Sequence, residues 1–275
     1  MDIVSPEGGN ELIRQHIESG KKFAVSRSGL TELVVMSDIL NGRNPTDQTI
    51  SDLRIVAGVY KSSVEEFYEE YSTALSYADL QIAWQGSKVD SIQSEVFQRL
   101  SPNSIKIGHR AVEPFYFENP WSLGLEGKKV LVVTSISQTV KYQSKRLDKI
   151  WGAKKMFPQF EIETYNSVQS IGNRGPHSSW KESLDIMRDE ISELDFDVAL
   201  LGCGAYGMPL VAHIKNNMGK SAIYVGGAIQ IMFGIKGVRW DSHPEISTLF
   251  NEHWRRPFDI ERPENAYMAE GGAYW

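Results

Sequence analysis

The chain has one cysteine, no long apolar run and no leader-like N-terminus, and each absence excludes a class of protein. Cys203 alone cannot form an intramolecular disulfide or a multi-cysteine zinc site, which favours a reducing compartment. No stretch approaches the roughly 18 apolar residues of a membrane-spanning helix. The first 20 residues are polar and carry early charges, unlike a secretory signal peptide. We therefore expect a cytoplasmic protein, and the sequence leaves peripheral membrane contact open.

Positive charge is also scarce. The 29 lysines and arginines are outnumbered by 35 acids, giving a formal net charge of −6. Nucleic-acid binding needs a basic surface, so we expect no nucleic-acid partner. The H-E-x-x-H, P-loop and G-x-S-x-G motifs are missing, which disfavours metalloproteases, P-loop NTPases and α/β-hydrolases.

What is present is an alternation of apolar strands and amphipathic helices along the chain. The predicted strands are 23–26, 80–84, 129–134, 160–164, 196–201 and 222–225. The predicted helices are 10–17, 31–40, 63–77, 91–100, 138–150, 180–194, 206–218 and 228–233. This order predicts a Rossmann-like α/β fold, a mostly parallel sheet with helices on both faces. We expect one domain over residues 1–275, and a boundary near 121–128 is the alternative.

A glycine-rich loop follows the predicted strand 196–201. Gly202, Gly204 and Gly207 form a G-x-G-x-x-G pattern, and Tyr206 stands at the start of the next helix. Small residues there let the backbone N–H groups approach a phosphate. A dinucleotide site would also need an acid after the following strand, and two glycines stand there instead. The loop is a candidate for binding a phosphate or ribose, or it is a tight turn.

A second glycine pair follows the predicted strand 222–225. Gly226 and Gly227 open a helix that carries Gln230, and Lys236 lies a few residues beyond it. Two glycine loops on neighbouring strand ends would frame one crevice, so these residues are candidates for substrate binding. Close packing of the helix on the sheet is the alternative.

A third loop follows the first predicted strand. Arg27 is suited to pair a diphosphate through its planar guanidinium, and Glu32 is suited to ligate a divalent metal or act as a base. Gly29 and Thr31 lie between them as further binding candidates, with the Thr31 hydroxyl placed to cap the helix that follows. A structural ion pair between Arg27 and Glu32 is the alternative.

Weaker candidates lie elsewhere in the chain. His109 and His253 are possible bases, and Glu113 lies beside His109 in an aromatic-rich segment. The chain ends in Tyr274 and Trp275, and two terminal aromatic residues predict a docked tail rather than a frayed one.

Several segments together resemble a known family. VSRSGLTEL, AVEPFYFENPW, ALLGCGAYGMPLVAHIK, GGAIQIMFGIKGVRW and EGGAYW are similar to a widespread family of bacterial proteins found with capsule and surface-polysaccharide genes. The first segment resembles the R-[FY]-G-D-G-E loop of the GT-D class of glycosyltransferases. Arg27 matches the arginine, Gly29 the glycine and Glu32 the glutamate. The chain departs from that pattern at Leu30, in place of the aspartate, and at Thr31, in place of the second glycine.

The resemblance implies a glycosyltransferase of surface-polysaccharide biosynthesis. The donor would be a nucleotide-sugar, with a UDP-sugar favoured, and the acceptor a glycan or a lipid-linked sugar. In the GT-D class an Asp-x-Glu pair holds a metal, which here implies Mn²⁺ or Mg²⁺ on Glu32 alone. Two alternatives remain: a catalytically silent protein that binds nucleotide-sugars or glycans, and a nucleotide-sugar oxidoreductase or epimerase.

Overall fold

A seven-stranded, wholly parallel sheet forms the centre of the computed structural model, which describes residues 1–86, 89–171, 175–269 and 271–275. The strand order is β3-β2-β1-β7-β6-β4-β5. The strands are β1 (Ala24–Arg27), β2 (Leu80–Ala83), β3 (Ile105–Gly108), β4 (Lys129–Thr134), β5 (Glu161–Asn166), β6 (Val198–Gly202) and β7 (Ser221–Tyr224). The Rossmann-like α/β prediction is confirmed. β1 from the first half of the chain pairs with β7 from the second, so the sheet runs through both halves.

Helices connect the strands and cover the sheet. They are α1 (Pro6–Glu18), α2 (Leu30–Leu40), α3 (Asp47–Asp52), α4 (Val64–Ser76), α5 (Asp90–Leu100), α6 (Ser137–Gln143), α7 (Leu147–Trp151), α8 (Trp180–Ser192), α9 (Gly207–Asn216), α10 (Ala228–Met232) and α11 (Val238–Asp241).

The sheet has a hydrophobic core on each face because neighbouring side chains of a strand point to opposite sides. In β4, Leu131 and Val133 join the first core and Val130 and Val132 the second. Helices α2, α4, α5, α8 and α9 pack in the first core, and α1, α6, α7 and α10 in the second. The burial of β4 on both faces explains its continuous apolar sequence.

Several elements differ from the sequence-based expectation, which did not include the short helices α3 and α11. The edge strand β3 was not predicted: its first two residues are not buried, so its sequence lacks a continuous apolar run. The expected helix 138–150 is interrupted by a 3-10 turn at Ser144–Arg146. The Ser144 hydroxyl donates to the carbonyl of Lys141 at 3.0 Å, and such a local bond competes with regular helix geometry.

Candidate functional site

The loop after β1 leads into α2, and the side chain of a glutamate in α2 folds back onto the start of that helix. Gly29 is the N-cap residue of α2 and has no side chain to offer, so the expectation that Thr31 caps the helix is wrong. Glu32, at the third helical position, turns its carboxylate back onto Gly29, where a Cβ would clash with it. A carboxylate is stabilised there by the free N–H groups and by the positive end of the helix dipole. Gly29 is therefore required for this close approach.

Glu32 is buried, with 8% of its surface exposed. Burial raises the pKa of its carboxyl group, while its own backbone N–H and the positive charge of Arg27 oppose that shift. Burial raises the pKa of Tyr71 and of Tyr224, and the charge of Glu32 adds to that shift in both, after Cys203 in the case of Tyr224. Glu32 is thus a shielded carboxyl group with an enhanced affinity for a proton.

The residues around Glu32 do not form a metal site. Across the described ranges, no group of three or more His, Cys, Asp or Glu side chains is placed to hold a metal ion. Leu30, which stands where the GT-D pattern has an acid, is 55% exposed and supplies no ligand. Glu32 is one carboxylate turned toward its own helix, so a divalent cation here would need its remaining oxygen ligands from the diphosphate of a bound donor and from water.

Arg27 is the last residue of β1, and its guanidinium group is the candidate for binding an anion. Its Cζ lies 4.9 Å from the centroid of the Trp84 ring, a cation–π contact that holds the side chain in place. Among the described residues, no carboxylate lies within 4.0 Å of this guanidinium group. Arg27 is therefore a positioned cation with no direct ion pair among the described residues, although its charge acts on the nearby Glu32 and Glu113.

Gly226 makes room for that cation. It adopts a left-handed conformation with φ of +65°, and a Cβ at this position would clash with Nη1 of Arg27. β1 and β7 are neighbours in the sheet, yet α2 leaves β1 toward one face and α10 follows β7 on the other. Connections that diverge in this way open a crevice at the carboxyl ends of the strands, where α/β proteins bind ligands. Arg27 and Gly226 lie at that crevice.

Three buried hydroxyl groups surround this strand end without a hydrogen-bond partner in the described residues. Ser26 and Ser28 flank Arg27, and the Tyr71 hydroxyl lies near Glu32. Buried polar atoms are nearly always paired in folded proteins. Similar unpartnered atoms occur elsewhere in the described residues, so these three do not by themselves indicate a ligand.

The glycine loop after β6 has packing reasons of its own. A Cβ on Gly207 would lie 2.5 Å from the Tyr224 ring, and one on Gly202 would lie 2.8 Å from the carbonyl oxygen of Gly226. The Tyr224 hydroxyl donates to the carbonyl of Gly204 at 2.7 Å, and Gly204 has a positive φ of +58°. The two glycine loops therefore touch, as expected, and their substrate-binding role stays a prediction.

Tyr206 lies in the first core instead of at the crevice. Its hydroxyl is 2.8 Å from the Ser170 hydroxyl, and its ring stacks on Trp180 with centroids 5.5 Å apart. Only 2% of its surface is exposed. These contacts fix the start of α9, and the prediction that Tyr206 itself touches a substrate stays untested.

Gln230 anchors the end of the chain. Its Nε2 donates to the carbonyl of Tyr274 at 2.7 Å, and its Oε1 accepts from the indole N–H of Trp240 at 3.3 Å. The Tyr274 ring lies 3.2 Å from the position of a Cβ on Gly227, and Trp275 is buried. The docked tail is confirmed, and it lines the crevice beside Gly227.

Lys236 packs against an aromatic ring in a later part of the chain. Its ammonium group lies 4.9 Å from the centroid of the Phe250 ring, and its backbone N–H donates to the carbonyl of Arg255. No contact in the described part of the chain joins its side chain to Arg27.

Sequence reasoning missed two neighbours of the crevice, Trp84 and Arg239, whereas Tyr274 belongs to the tail that it predicted to be docked. The guanidinium group of Arg239 lies 4.8 Å from the centroid of the Tyr274 ring. A Cβ on Gly227 would lie 3.8 Å from Nη1 of Arg239, which places a second cation at this edge. The position of Trp84, directly after a buried strand, was the available signal for the platform under Arg27.

Two of the weaker candidates, His109 and Glu113, also lie where the charge of Arg27 affects them. The His109 ring stacks on Trp84, with centroids 5.3 Å apart. Burial, Arg110 and Arg27 lower the pKa of His109, which favours the neutral imidazole. Burial raises the pKa of Glu113, and Arg27, Arg110 and Arg239 partly offset that effect. In contrast, His253 lies beside Glu252, 3.7 Å from its carboxylate.

Comparison with family models, curated proteins and solved structures finds no match for this chain. In the described ranges, no helix has the length and apolar character needed to cross a membrane.

Proposed function

We propose that this chain transfers a sugar from a nucleoside-diphosphate sugar, with a UDP-sugar favoured, to a hydroxyl group of a glycan or lipid-linked acceptor. The observation that carries the proposal is the guanidinium group of Arg27. It contacts the Trp84 ring, forms no direct ion pair with a described carboxylate and lies beside the Gly226 turn at the diverging strand ends. A planar guanidinium pairs phosphate oxygens in a bidentate manner, and a diphosphate next to glycine backbone is compatible with that geometry.

Arg27 would act on the leaving group. As the bond between the anomeric carbon and the diphosphate oxygen breaks, the electron pair leaves with the diphosphate. Arg27 stabilises that developing charge, and Arg239 supplies a second cation at the same edge. The backbone N–H of Gly227 is the candidate donor for the remaining phosphate oxygens, since the N–H of Gly226 already donates to the carbonyl of Leu201 at 2.9 Å.

Glu32 would act on the acceptor. The acceptor oxygen forms its bond to the anomeric carbon, and its proton passes to the Glu32 carboxylate. The raised pKa of Glu32 makes it a stronger base than an exposed glutamate. These steps use residues of the chain alone, and a divalent metal on Glu32 stays a prediction.

A second candidate function is supported by the same glutamate. Its carboxylate is buried against Gly29 and serves the start of its own helix. A site with Arg27 but without an accessible base would bind nucleotide-sugars and not turn them over. Such a protein would be a binding subunit of a polysaccharide-assembly machine.

A thermal-shift screen separates these functions. Wild type, Arg27→Met and the control Arg14→Met, which removes an exposed arginine paired with Glu18, are heated with nucleotide-sugars with and without Mn²⁺. A ligand at a hundredfold excess over its Kd adds about 2.7 kcal/mol of stability. Loss of a charge-assisted contact costs about 1.5–3 kcal/mol, so Arg27→Met should weaken binding by about tenfold or more. The control should bind as wild type does.

Turnover is then measured as release of nucleoside diphosphate in the presence of glycan acceptors. Release that depends on Arg27 supports transfer, whereas binding without release supports the silent binding protein. A shift with nicotinamide dinucleotides and none with nucleotide-sugars would overturn both and favour an oxidoreductase.

A further inference from the structure

A strongly basic segment stands out in this acidic chain. Residues 137–155 contain six lysines and arginines and a single acid, Asp148, which gives a net charge of +5, against −6 for the whole chain. The segment covers α6, the 3-10 turn and α7. Concentrated charge of one sign in a chain of the opposite sign is typical of a surface that attracts a partner.

The cations of this segment form few ion pairs with the described residues. Lys141, Lys145, Arg146 and Lys149 have no carboxylate within 4.0 Å in the ranges that the structure describes, and the same holds for Arg255. Other cations in the described ranges do form ion pairs, for example Arg188 with Glu70 at 2.5 Å. Asp148, Glu252 and Asp259 are exposed in the same segments and neutralise only part of this charge.

Aromatic and aliphatic side chains lie among these cations. The guanidinium groups of Arg146 and Arg255 lie 3.8 Å and 5.0 Å from the centroid of the Tyr142 ring. Arg255 also lies 3.8 Å from the centroid of the Phe258 ring, and Ile260 beyond it is 80% exposed. We name Lys141, Lys145, Arg146, Lys149, Arg255 and Ile260 the basic-apolar patch.

The loop that presents Ile260 is fixed to α6. Glu261 accepts hydrogen bonds from the backbone N–H of Gln138, at 2.7 Å, and from the N–H and hydroxyl of Thr139. The backbone N–H of Phe258 donates to the Thr139 hydroxyl at 2.9 Å. Ile260 is therefore held outward between two anchored neighbours, so its exposure is built into the fold.

We infer that the basic-apolar patch docks the protein on the surface of an anionic lipid bilayer. The lysines and arginines would meet the lipid phosphates, while Ile260 and the Tyr142 ring would enter the headgroup region. The exposed isoleucine favours a bilayer over nucleic acid, since a phosphate backbone offers no apolar phase, and the net charge of −6 disfavours nucleic acid further. The inference does not depend on the proposed sugar transfer.

The position of the patch would orient the candidate site. α6 begins three residues after β4 ends, at the carboxyl edge of the parallel sheet, where β1 also ends at Arg27. Docking through α6 would bring this edge toward the bilayer.

Sedimentation with phosphatidylcholine vesicles, with and without phosphatidylserine, tests the inference. Wild type should bind the anionic vesicles, and this binding should weaken as the salt concentration rises. The double variant Lys145→Gln/Lys149→Gln should bind at least tenfold more weakly, since each cation near an anionic surface contributes about fivefold. The control Lys21→Gln/Lys22→Gln removes two exposed lysines elsewhere and should bind as wild type does.

Ile260→Ser separates the bilayer from other polyanions because it leaves the charge unchanged. It should weaken vesicle binding and leave any binding to duplex DNA unaltered. The inference would be overturned if wild type did not bind anionic vesicles. It would also be overturned if the double variant bound them as tightly as the control does. Equal binding of wild type and Ile260→Ser, together with tight DNA binding, would assign the patch to nucleic acid instead.

Discussion

At the scale of single residues, the candidate site depends on a glycine, because a neighbouring side chain occupies the space that a Cβ would fill at that position. Gly226 has a φ of +65°, and Arg27 fills the space where its Cβ would be. Arg27 reaches the crevice because β7 is its neighbour in the sheet and Trp84 supports it from β2. The geometry of the cation therefore depends on three separate strands.

Gly226→Ala should lose both stability and ligand binding. The left-handed backbone costs an alanine about 1–2 kcal/mol, and the new methyl group would also displace Arg27. Gly219→Ala is the matched control, because Gly219 has a φ of +68° and nothing within 4 Å of its Cβ position. Urea unfolding should show a larger loss for Gly226→Ala, and thermal shift should show weakened nucleotide-sugar binding for that variant alone. Equal behaviour of the two alanines would contradict the placement of Arg27.

Glu32 should make the stability of the chain depend on pH. Burial raises the pKa of its carboxyl group above the usual value, so the folded chain binds a proton that the unfolded chain releases. The contribution of this group is therefore fully present at acid pH and is lost as the pH rises through the folded-state value. In Glu32→Gln that loss disappears because an amide does not ionise.

The measurement is urea unfolding of wild type and Glu32→Gln at a series of pH values from acid to neutral. The free energy of unfolding of the wild type should fall relative to the variant as the pH rises. Glu65→Gln, in the exposed first turn of α4, controls for the amide substitution. A difference between wild type and Glu32→Gln that stays constant across the pH series would rule out this account.

At the scale of elements, α6 is capped by a residue from a distant part of the chain. The carboxylate of Glu261 accepts from the N–H groups of Gln138 and Thr139, whereas Ile136, at the N-cap position, offers no side-chain hydrogen bond. Without Glu261 these first-turn donors would lose their partner.

Glu261→Ala should therefore lower the free energy of unfolding by about 1–2 kcal/mol, the cost of losing a cap. Asp259→Ala removes an exposed acid from the same short 3-10 helix and should cost less than 0.5 kcal/mol, on the order of an ordinary surface substitution. Both values are read from urea denaturation. If the two variants unfold alike, the cap contributes nothing measurable to stability.

At the scale of the whole molecule, the sheet is covered unevenly. The central strands β7, β6 and most of β4 are buried on both faces, whereas β5 alternates between exposed and half-buried residues and β3 is exposed at its start. Burial on both faces and hydrogen bonding on both edges protect a strand from local opening.

Hydrogen exchange should follow this order. The amides of β6 and β7 should exchange slowest, close to the rate set by global unfolding, and those of β5 should exchange faster because the strand has one free edge. Exchange resolved by mass spectrometry on peptic fragments measures the difference. A β5 as protected as β6 would mean that the edge is covered by another chain or ligand.

The sequence by itself determined the elements and their class. Continuous apolar runs such as 129–134 and amphipathic helices such as 180–194 carry their own periodicity, and their alternation implies parallel strands. The loops that matter could also be located, since glycines and polar residues directly after a strand can lie only at the carboxyl edge. Short edge strands such as β3, and helix interruptions such as the break at Ser144–Arg146, have too weak a sequence pattern to be predicted in this way.

Only the tertiary structure decided which of those loop residues meet. Trp84, Gly226, Arg239 and Tyr274 lie far apart in the chain and come together around Arg27 because β1 pairs with β2 and β7, and the tail docks on Gln230. The same packing turns Tyr206 into the core and Glu32 onto its own helix. Side-chain direction depends on neighbours distant in sequence, and local pattern carries no information about them.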